Sequence, residues 1–213
     1  MLDTTPLLRA FARYRLNRLA SLDPVESQRA TLRRLVWTAR RTRFGRDHGF
    51  ADIADIAAYQ RRVPIRRYED FWTAYWQGDF PRLTDVSWPG TIPYFAVTSG
   101  TTAGRSKYIP VSKAMLRSNS RASADLYSFH LRARPKSRIL AGKSFMLGGS
   151  TRLVDEAPGV QSGDLSGIMA ANVPRYARPR FFPPPELALL DDWEEKVTRL
   201  AKQSLVDDIR MIG

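Results

Sequence analysis

A chain of 213 residues, 43% hydrophobic and 11% aromatic, holds enough apolar mass to bury a core in one or two domains, and with 26% charged residues it is not composed like a disordered chain. No uninterrupted apolar run approaches the roughly 18 residues that a membrane-spanning helix needs, Met1-Leu2-Asp3-Thr4 does not read as a leader, and zero cysteines remove disulfides, thiolate catalysis and cysteine-ligated zinc; a cytoplasmic protein with no membrane partner is expected. The net charge of +13 is carried by 28 arginines and 6 lysines, and residues 1–67 hold 15 arginines against 6 acids, so a basic N-terminal region able to meet polyanions stands against the plainer reading of solvated helix faces, with no specific nucleic acid expected.

In chain order, Thr5-Pro6 reads as a cap and first helical proline, with Leu7, Leu8, Phe11, Tyr14 and Leu19 as the apolar face and Arg9, Arg13 and Asn17 opposite. Asp23-Pro24-Val25-Glu26 opens a second helix whose inner set is Val25, Leu32, Leu35, Val36 and Ala39, expected to stop near Phe44-Gly45. Residues 55–79 predict two short helices divided by Val63-Pro64-Ile65, because a residue before proline avoids helical backbone. Phe71, Trp72, Tyr75 and Trp76 crowd the second of them as a core stripe rather than a base-stacking platform. Pro81 to Pro93 reads as a loop.

Tyr94-Phe95-Ala96-Val97 is a β-prone run feeding Thr98-Ser99-Gly100-Thr101-Thr102-Ala103-Gly104-Arg105-Ser106-Lys107, with Tyr108-Ile109-Pro110 as a returning strand. Five hydroxyls, two glycines and a closing lysine in that segment suit phosphate: glycines let backbone N–H groups turn inward, hydroxyls donate to non-bridging oxygens, and the ammonium offsets charge. The spacing Gly-x3-Gly-x2-Lys is not that of a Walker A loop. A polar hairpin with no ligand is the other reading of these residues.

Farther on, Ser112 is expected to cap a helix to about Leu131, with Met115, Leu116, Ala122, Leu126 and Phe129 inside. Gly142-Lys143-Ser144 imitates the end of a Walker A motif, but Ser137 stands where its first glycine is required, and Phe145-Met146-Leu147 predicts a strand. Arg180-Phe181-Phe182-Pro183-Pro184-Pro185 reads as an extended linker or helix lead-in. Asp191, Asp192, Glu194 and Glu195 are solvated acids at a helix start, Leu189, Leu190, Trp193, Val197, Leu200 and Ala201 are that helix's apolar face, and residues 207–213 read as a strand. His48 is expected to make a structural hydrogen bond, and with His130 as the only other histidine no multi-histidine metal centre can form.

The string TSGTTAGRSK resembles the phosphate-binding loop of adenylate-forming enzymes. Thr42-Arg43-Phe44-Gly45-Arg46-Asp47-His48-Gly49-Phe50, Val63-Pro64-Ile65 with Tyr68-Glu69, Gly142 to Ser150, and Ser162-Gly163-Asp164-Leu165-Ser166-Gly167 are similar to the bacterial relatives of the plant auxin-responsive acyl-acid amido synthetases, over about residues 29–213. The resemblance implies an α/β fold, with amphipathic helices on an incomplete mixed sheet, and an incomplete N-terminal adenylation domain over residues 1–213. Within it, 1–45 would be N-terminal helices, 94–110 the phosphate-binding strand-loop-strand and 112–213 an α/β segment, with the C-terminal cap domain absent.

It further implies that a carboxylate attacks the α-phosphorus of ATP to give an acyl-adenylate and pyrophosphate, after which an amine such as an amino acid displaces AMP. Ser99, Gly100, Thr101, Thr102 and Gly104 would hold the β- and γ-phosphates, Thr98 would shape the loop entry and Lys107 would be the cation, with Mg²⁺ implied by the ATP. Arg121 is a candidate for the acid's carboxylate or polar substituents, beside the plainer reading of a surface arginine; no catalytic residue and no metal ligand is assignable in this portion. The partners implied are a small carboxylic acid and an amine. Two rival readings stay beside this one, a basic nucleic-acid-binding module and a non-catalytic remnant.

Overall fold

The structure is a computed structural model, described for residues 1–98, 106–146, 152–188, 190 and 192–212. The first helix, α1 (Thr5–Ala20), begins one residue earlier than a Thr5 cap would allow. The amide of Thr5 is taken by Asp3 Oδ1 at 2.9 Å and its buried hydroxyl accepts from the Leu140 amide at 3.0 Å. α2 (Pro24–Ala39) is capped by Asp23, which accepts from the Glu26 amide at 2.8 Å. It stops short of Phe44 because Thr42 intervenes. The Thr42 hydroxyl donates to the Ala39 carbonyl at 2.7 Å and accepts from the Gly45 amide at 3.0 Å, ending one helix and starting the next, α3 (Arg43–Asp47).

The pair predicted over 55–79 forms as α4 (Ile56–Arg62), capped by Asp55, and α5 (Tyr68–Phe71), which runs on into a wide turn of π-helix, Trp72–Trp76. Tyr75 is buried, and Phe71 and Trp76 are half-buried against the same cluster, so the aromatic stripe is core. The segment from Pro81 to Pro93 is irregular but not peripheral: Leu83, Val86 and Ile92 are buried, and Ile92 donates to the Leu83 carbonyl at 2.9 Å.

The α/β class holds, with the strands divided between two sheets. The mixed sheet has the order β2-β1-β5-β4, in which β1 (Tyr94–Val97) is antiparallel to β2 (Tyr108–Val111) and parallel to β5 (Val160–Gly163), and β4 (Val154–Ala157) is antiparallel to β5. Side chains alternate across a strand, and each face of this sheet has its own cover. Phe95 and Val160 join Val36, Phe44, Phe50, Tyr75 and Leu83 on one side. Tyr94, Ala96 and Val111 meet Leu116 and Ile168 on the other, brought by α6 (Lys113–Ala133) and α7 (Leu165–Ala171).

The second sheet is parallel, in the order β6-β3-β7, from β3 (Lys143–Phe145), β6 (Phe181–Phe182) and β7 (Ile209–Ile212). β3 starts earlier than expected, and Met146 lies outside it. Gly142 explains the start: a Cβ there would lie 2.1 Å from the Asp208 carbonyl oxygen, so only glycine lets the two backbones meet. Lys143 then donates through its amide to Asp208 O at 2.8 Å and through its ammonium to Asp207 at 2.6 Å, a structural role for the Walker-like Gly142-Lys143-Ser144.

Residues 180–185, expected as an extended linker or helix lead-in, do lead into a helix, and they are built into the fold on the way. Phe181 and Phe182 pair with Ser144 and Phe145, Phe182 is fully buried against Leu187 and Leu200, and α8 (Pro185–Ala188) follows directly. The extended backbone expected here is that of a strand, and burial of Phe182 makes it part of the second sheet's core rather than a free linker. Asp192 caps α9 (Trp193–Ser204), accepting from the Glu195 amide at 2.7 Å, as a helix-start acid should; Asp191 and Leu189 lie outside the described residues.

Candidate functional site

The β1–β2 pair is in register from Tyr94↔Val111 to Val97↔Tyr108. Just past it, the Thr98 amide donates to the Lys107 carbonyl at 3.1 Å and the Lys107 amide donates to Thr98 Oγ1 at 3.2 Å. The two ends of the hydroxyl-rich segment are thus clasped by its first hydroxyl residue and its closing lysine. Ser99, Gly100, Thr101, Thr102 and Gly104, named from the sequence, lie outside the described residues.

Parallel pairing of β1 with β5, through Tyr94↔Gln161 and Ala96↔Gly163, makes both strands end on the same side of the sheet. One feeds Thr98 and the other feeds Asp164 and α7. Ligands of open α/β sheets favour this place, outside the carboxyl ends of parallel strands. The Ser162-Gly163-Asp164 motif therefore borders the segment's entry, and Ser162, buried, donates to Glu156 Oε1 at 2.5 Å, which pins β5 to β4.

Lys107 has two further neighbours. Its ammonium lies 2.7 Å from Glu69 Oε1 and 5.0 Å from the centroid of the Tyr68 ring. The Tyr68 hydroxyl accepts from the Tyr108 amide at 3.0 Å and reaches the Tyr108 carbonyl at 3.4 Å, occupying the outer backbone edge of β2 as a neighbouring strand would. Trp72 stacks on Tyr68 with centroids 6.0 Å apart, and Trp76 lies tilted against it at 5.9 Å. Burial pushes the Tyr68 phenol up, keeping it a neutral donor and acceptor. The Lys107 ammonium holds the Glu69 carboxyl below its usual range.

The sequence had signalled Tyr68-Glu69 only as part of a resemblance. No local pattern links them to a lysine in a distant segment; the one physical hint was that a lysine closing an anion loop needs a counter-charge.

Arg121 is an exposed residue of α6, four positions before Asp125, whose carboxylate takes Arg15 at 2.6 and 2.8 Å and ties that stretch to α1. No described hydrogen bond or ion pair joins Arg121 to Thr98 or Lys107. Among the described residues no group of three or more His, Asp or Glu could hold a metal ion. The side-chain groups at the clasp are a hydroxyl and an ammonium, the chemistry that phosphate oxygens accept from. Two shallow concavities lie on other elements, one lined by Pro184, Leu187 and Arg199 and one by His130, Pro135 and Ser137. Neither includes a residue of the clasp.

A profile of the GH3 family N-terminal domain matches residues 15–199. The whole chain is similar in fold to a GH3.15 acyl acid amido synthetase, with a TM-score of 0.74 and 16% identity, and it covers 36% of that chain. It is also similar, over 72% of its length, to AtGH3.15 acyl acid amido synthetase in complex with 2,4-DB, with a TM-score of 0.52 and 19% identity, covering 25% of that chain. No curated protein sequence matches.

Proposed function

The chain belongs to the GH3 family, in the region of its N-terminal domain, and on that premise we propose that it supplies the polyphosphate-binding part of an ATP-dependent acyl-acid amido synthetase. The observation that carries the reading is the clasp of Thr98 and Lys107 beside the carboxyl ends of parallel β1 and β5. It closes a segment whose hydroxyls, glycines and lysine suit phosphate. Such a segment has no covalent work to do, because transfer to the α-phosphorus depends on positioning and charge neutralisation.

Ser99, Gly100, Thr101, Thr102 and Gly104 would hold the β- and γ-phosphates, Thr98 would shape the entry of the loop, and Lys107 would offset the phosphates' charge. A carboxylic acid is the first substrate, in line with the acid 2,4-DB bound to the similar structure. An amine such as an amino acid is the second. Arg121 is retained as a candidate for the acid's carboxylate. No selective nucleic-acid role is proposed, because Arg9, Arg15, Arg43 and Arg66 of the basic N-terminal region are committed to Ser137, Asp125, Asp79 and His48 within the fold.

The test is exchange of labelled pyrophosphate into ATP by the full-length gene product that carries this chain, across a panel of carboxylic acids. Exchange with at least one acid is expected. Lys107→Ala or Thr101→Val should slow it roughly 100-fold, the scale of deleting one preorganised charge-stabilising donor. No exchange with any acid while ATP still binds would overturn the adenylation reading.

A further inference from the structure

Tyr68 and Glu69 have no part in the proposed function, yet among the described residues their side chains are the ones that meet the Lys107 ammonium. The Glu69 side chain is 61% exposed and the Lys107 side chain 31%. A solvent-facing pair of this kind contributes little to stability, so its place at the base of an anion-binding segment is not explained by folding. An exposed carboxylate is, however, a counter-ion that a ligand with several negative charges can displace.

Tyr68 differs in kind. Its hydroxyl meets both backbone groups of Tyr108, the residue next to Lys107, and so fixes the strand position from which the lysine stem departs. Its ring, backed by Trp72 and Trp76, presents a face to the ammonium. That attraction does not depend on which anion the ammonium pairs with.

We propose that Tyr68 and Glu69 are positioning residues for Lys107: Glu69 is the counter-ion that a polyphosphate displaces from the ammonium, and Tyr68 fixes the strand and the ring face about which the ammonium moves. The proposal rests on the reading of residues 98–107 as a polyphosphate site. It gives the two neighbours opposite signs. Glu69 competes with the ligand, so removing its charge tightens binding; Tyr68 aims the lysine, so losing its hydroxyl weakens it.

Calorimetric titration of the chain with ATP and with inorganic tripolyphosphate tests this in Glu69→Gln, Tyr68→Phe, Lys107→Ala and the doubles with Lys107→Ala. Glu69→Gln should bind both ligands roughly two- to fivefold more tightly, the fold-change that corresponds to an exposed ion pair, with an unchanged melting temperature. Tyr68→Phe should bind both severalfold more weakly, and each effect should vanish in the Lys107→Ala background. If Lys107→Ala weakens binding but Glu69→Gln fails to tighten it, or tightens it equally without Lys107, the counter-ion role is overturned and the polyphosphate reading stands. Binding unaffected by Lys107→Ala, or absent in every variant, removes both. Because Glu69→Gln touches only an exposed group, the test holds even if Tyr68→Phe folds poorly.

Discussion

His48 is buried, and its two ring nitrogens do different jobs. Nδ1 is 2.8 Å from the Phe44 carbonyl and must donate, which leaves Nε2 to accept from Arg66 Nη1 at 2.8 Å. The histidine is thus a structural link between α3 and Arg66, two residues before α5, and it holds Arg66 near the faces of Phe44, Phe71 and Tyr75. At the other end of the chain, single carboxylates decide how α1 is held. Hydrogen bonds from Thr5 and then Arg138 bring Asp3 down to about 2 from an ordinary 3.8, and the Arg15 guanidinium holds Asp125 below its usual range. A depressed carboxyl contributes stability that is present above its unfolded value and lost as pH falls through its folded one. Anchoring of α1 should therefore weaken between about pH 4 and pH 2. Melting curves from about pH 5 to pH 2, for the chain and for Asp3→Asn with Asp125→Asn, should separate at the upper end, with the variant the less stable, and converge at the acid end; parallel curves would show that these carboxylates do not anchor the helix.

At the scale of elements, the helix faces are where sequence and structure part. α1 does not bury Leu7, Phe11 and Tyr14; it turns Thr5, Ala12 and Leu16 inward, while Leu7 is 74% exposed. α6 buries Leu116, Ser128 and Leu131, and leaves Met115, Ala122, Leu126 and Phe129 outside. α2 likewise buries Val36 and Ala39 but not Val25 or Leu35.

The physical reason is the α1·α6 contact itself. The helices run antiparallel, with Arg15 on Asp125 and Arg9 on the Ser137 carbonyl, and a close crossing favours small residues and complementary charges over the largest apolar stripe. Periodicity could report the helices and their caps, Asp23, Asp55, Ser112 and Asp192, because those depend on neighbours in the chain. Which face turns inward depends on a partner a hundred residues away. The strands at Tyr94–Val97 and Tyr108–Val111 were legible for the same local reason, and the Tyr68-Glu69 neighbours of Lys107 were not.

Ala12→Leu should cost about 1–3 kcal/mol by overpacking the α1·α6 seam, whereas Phe11→Gln should change stability by less than about 0.5 kcal/mol. Urea midpoints check both. The reverse order would restore the stripe that the sequence suggests.

On the scale of the whole molecule, the exposed surface of 14292 Å² is well above the roughly 10,000 Å² of a compact monomer of this mass. The excess has an apolar component. Leu7, Phe11 and Tyr14 of α1, and Leu126 and Phe129 of α6, are exposed in helical registers that would suit a covered face. β7 is an outer strand of its sheet among the described residues, with Ile212 75% exposed, and an apolar outer strand offers unpaired backbone groups to another chain. Contiguous apolar surface and an open sheet edge are the two ordinary causes of association. The chain of residues 1–213 is therefore expected to self-associate as its concentration rises. Static light scattering over a concentration series should show a mass climbing above that of one chain. Phe11→Gln, Tyr14→Gln, Leu126→Gln and Phe129→Gln together should lower it if the helix faces are responsible, and Ile212→Lys should lower whatever the β7 edge contributes. A chain that stays monomeric throughout would mean that these faces do not drive association, and that its extra surface needs no cover.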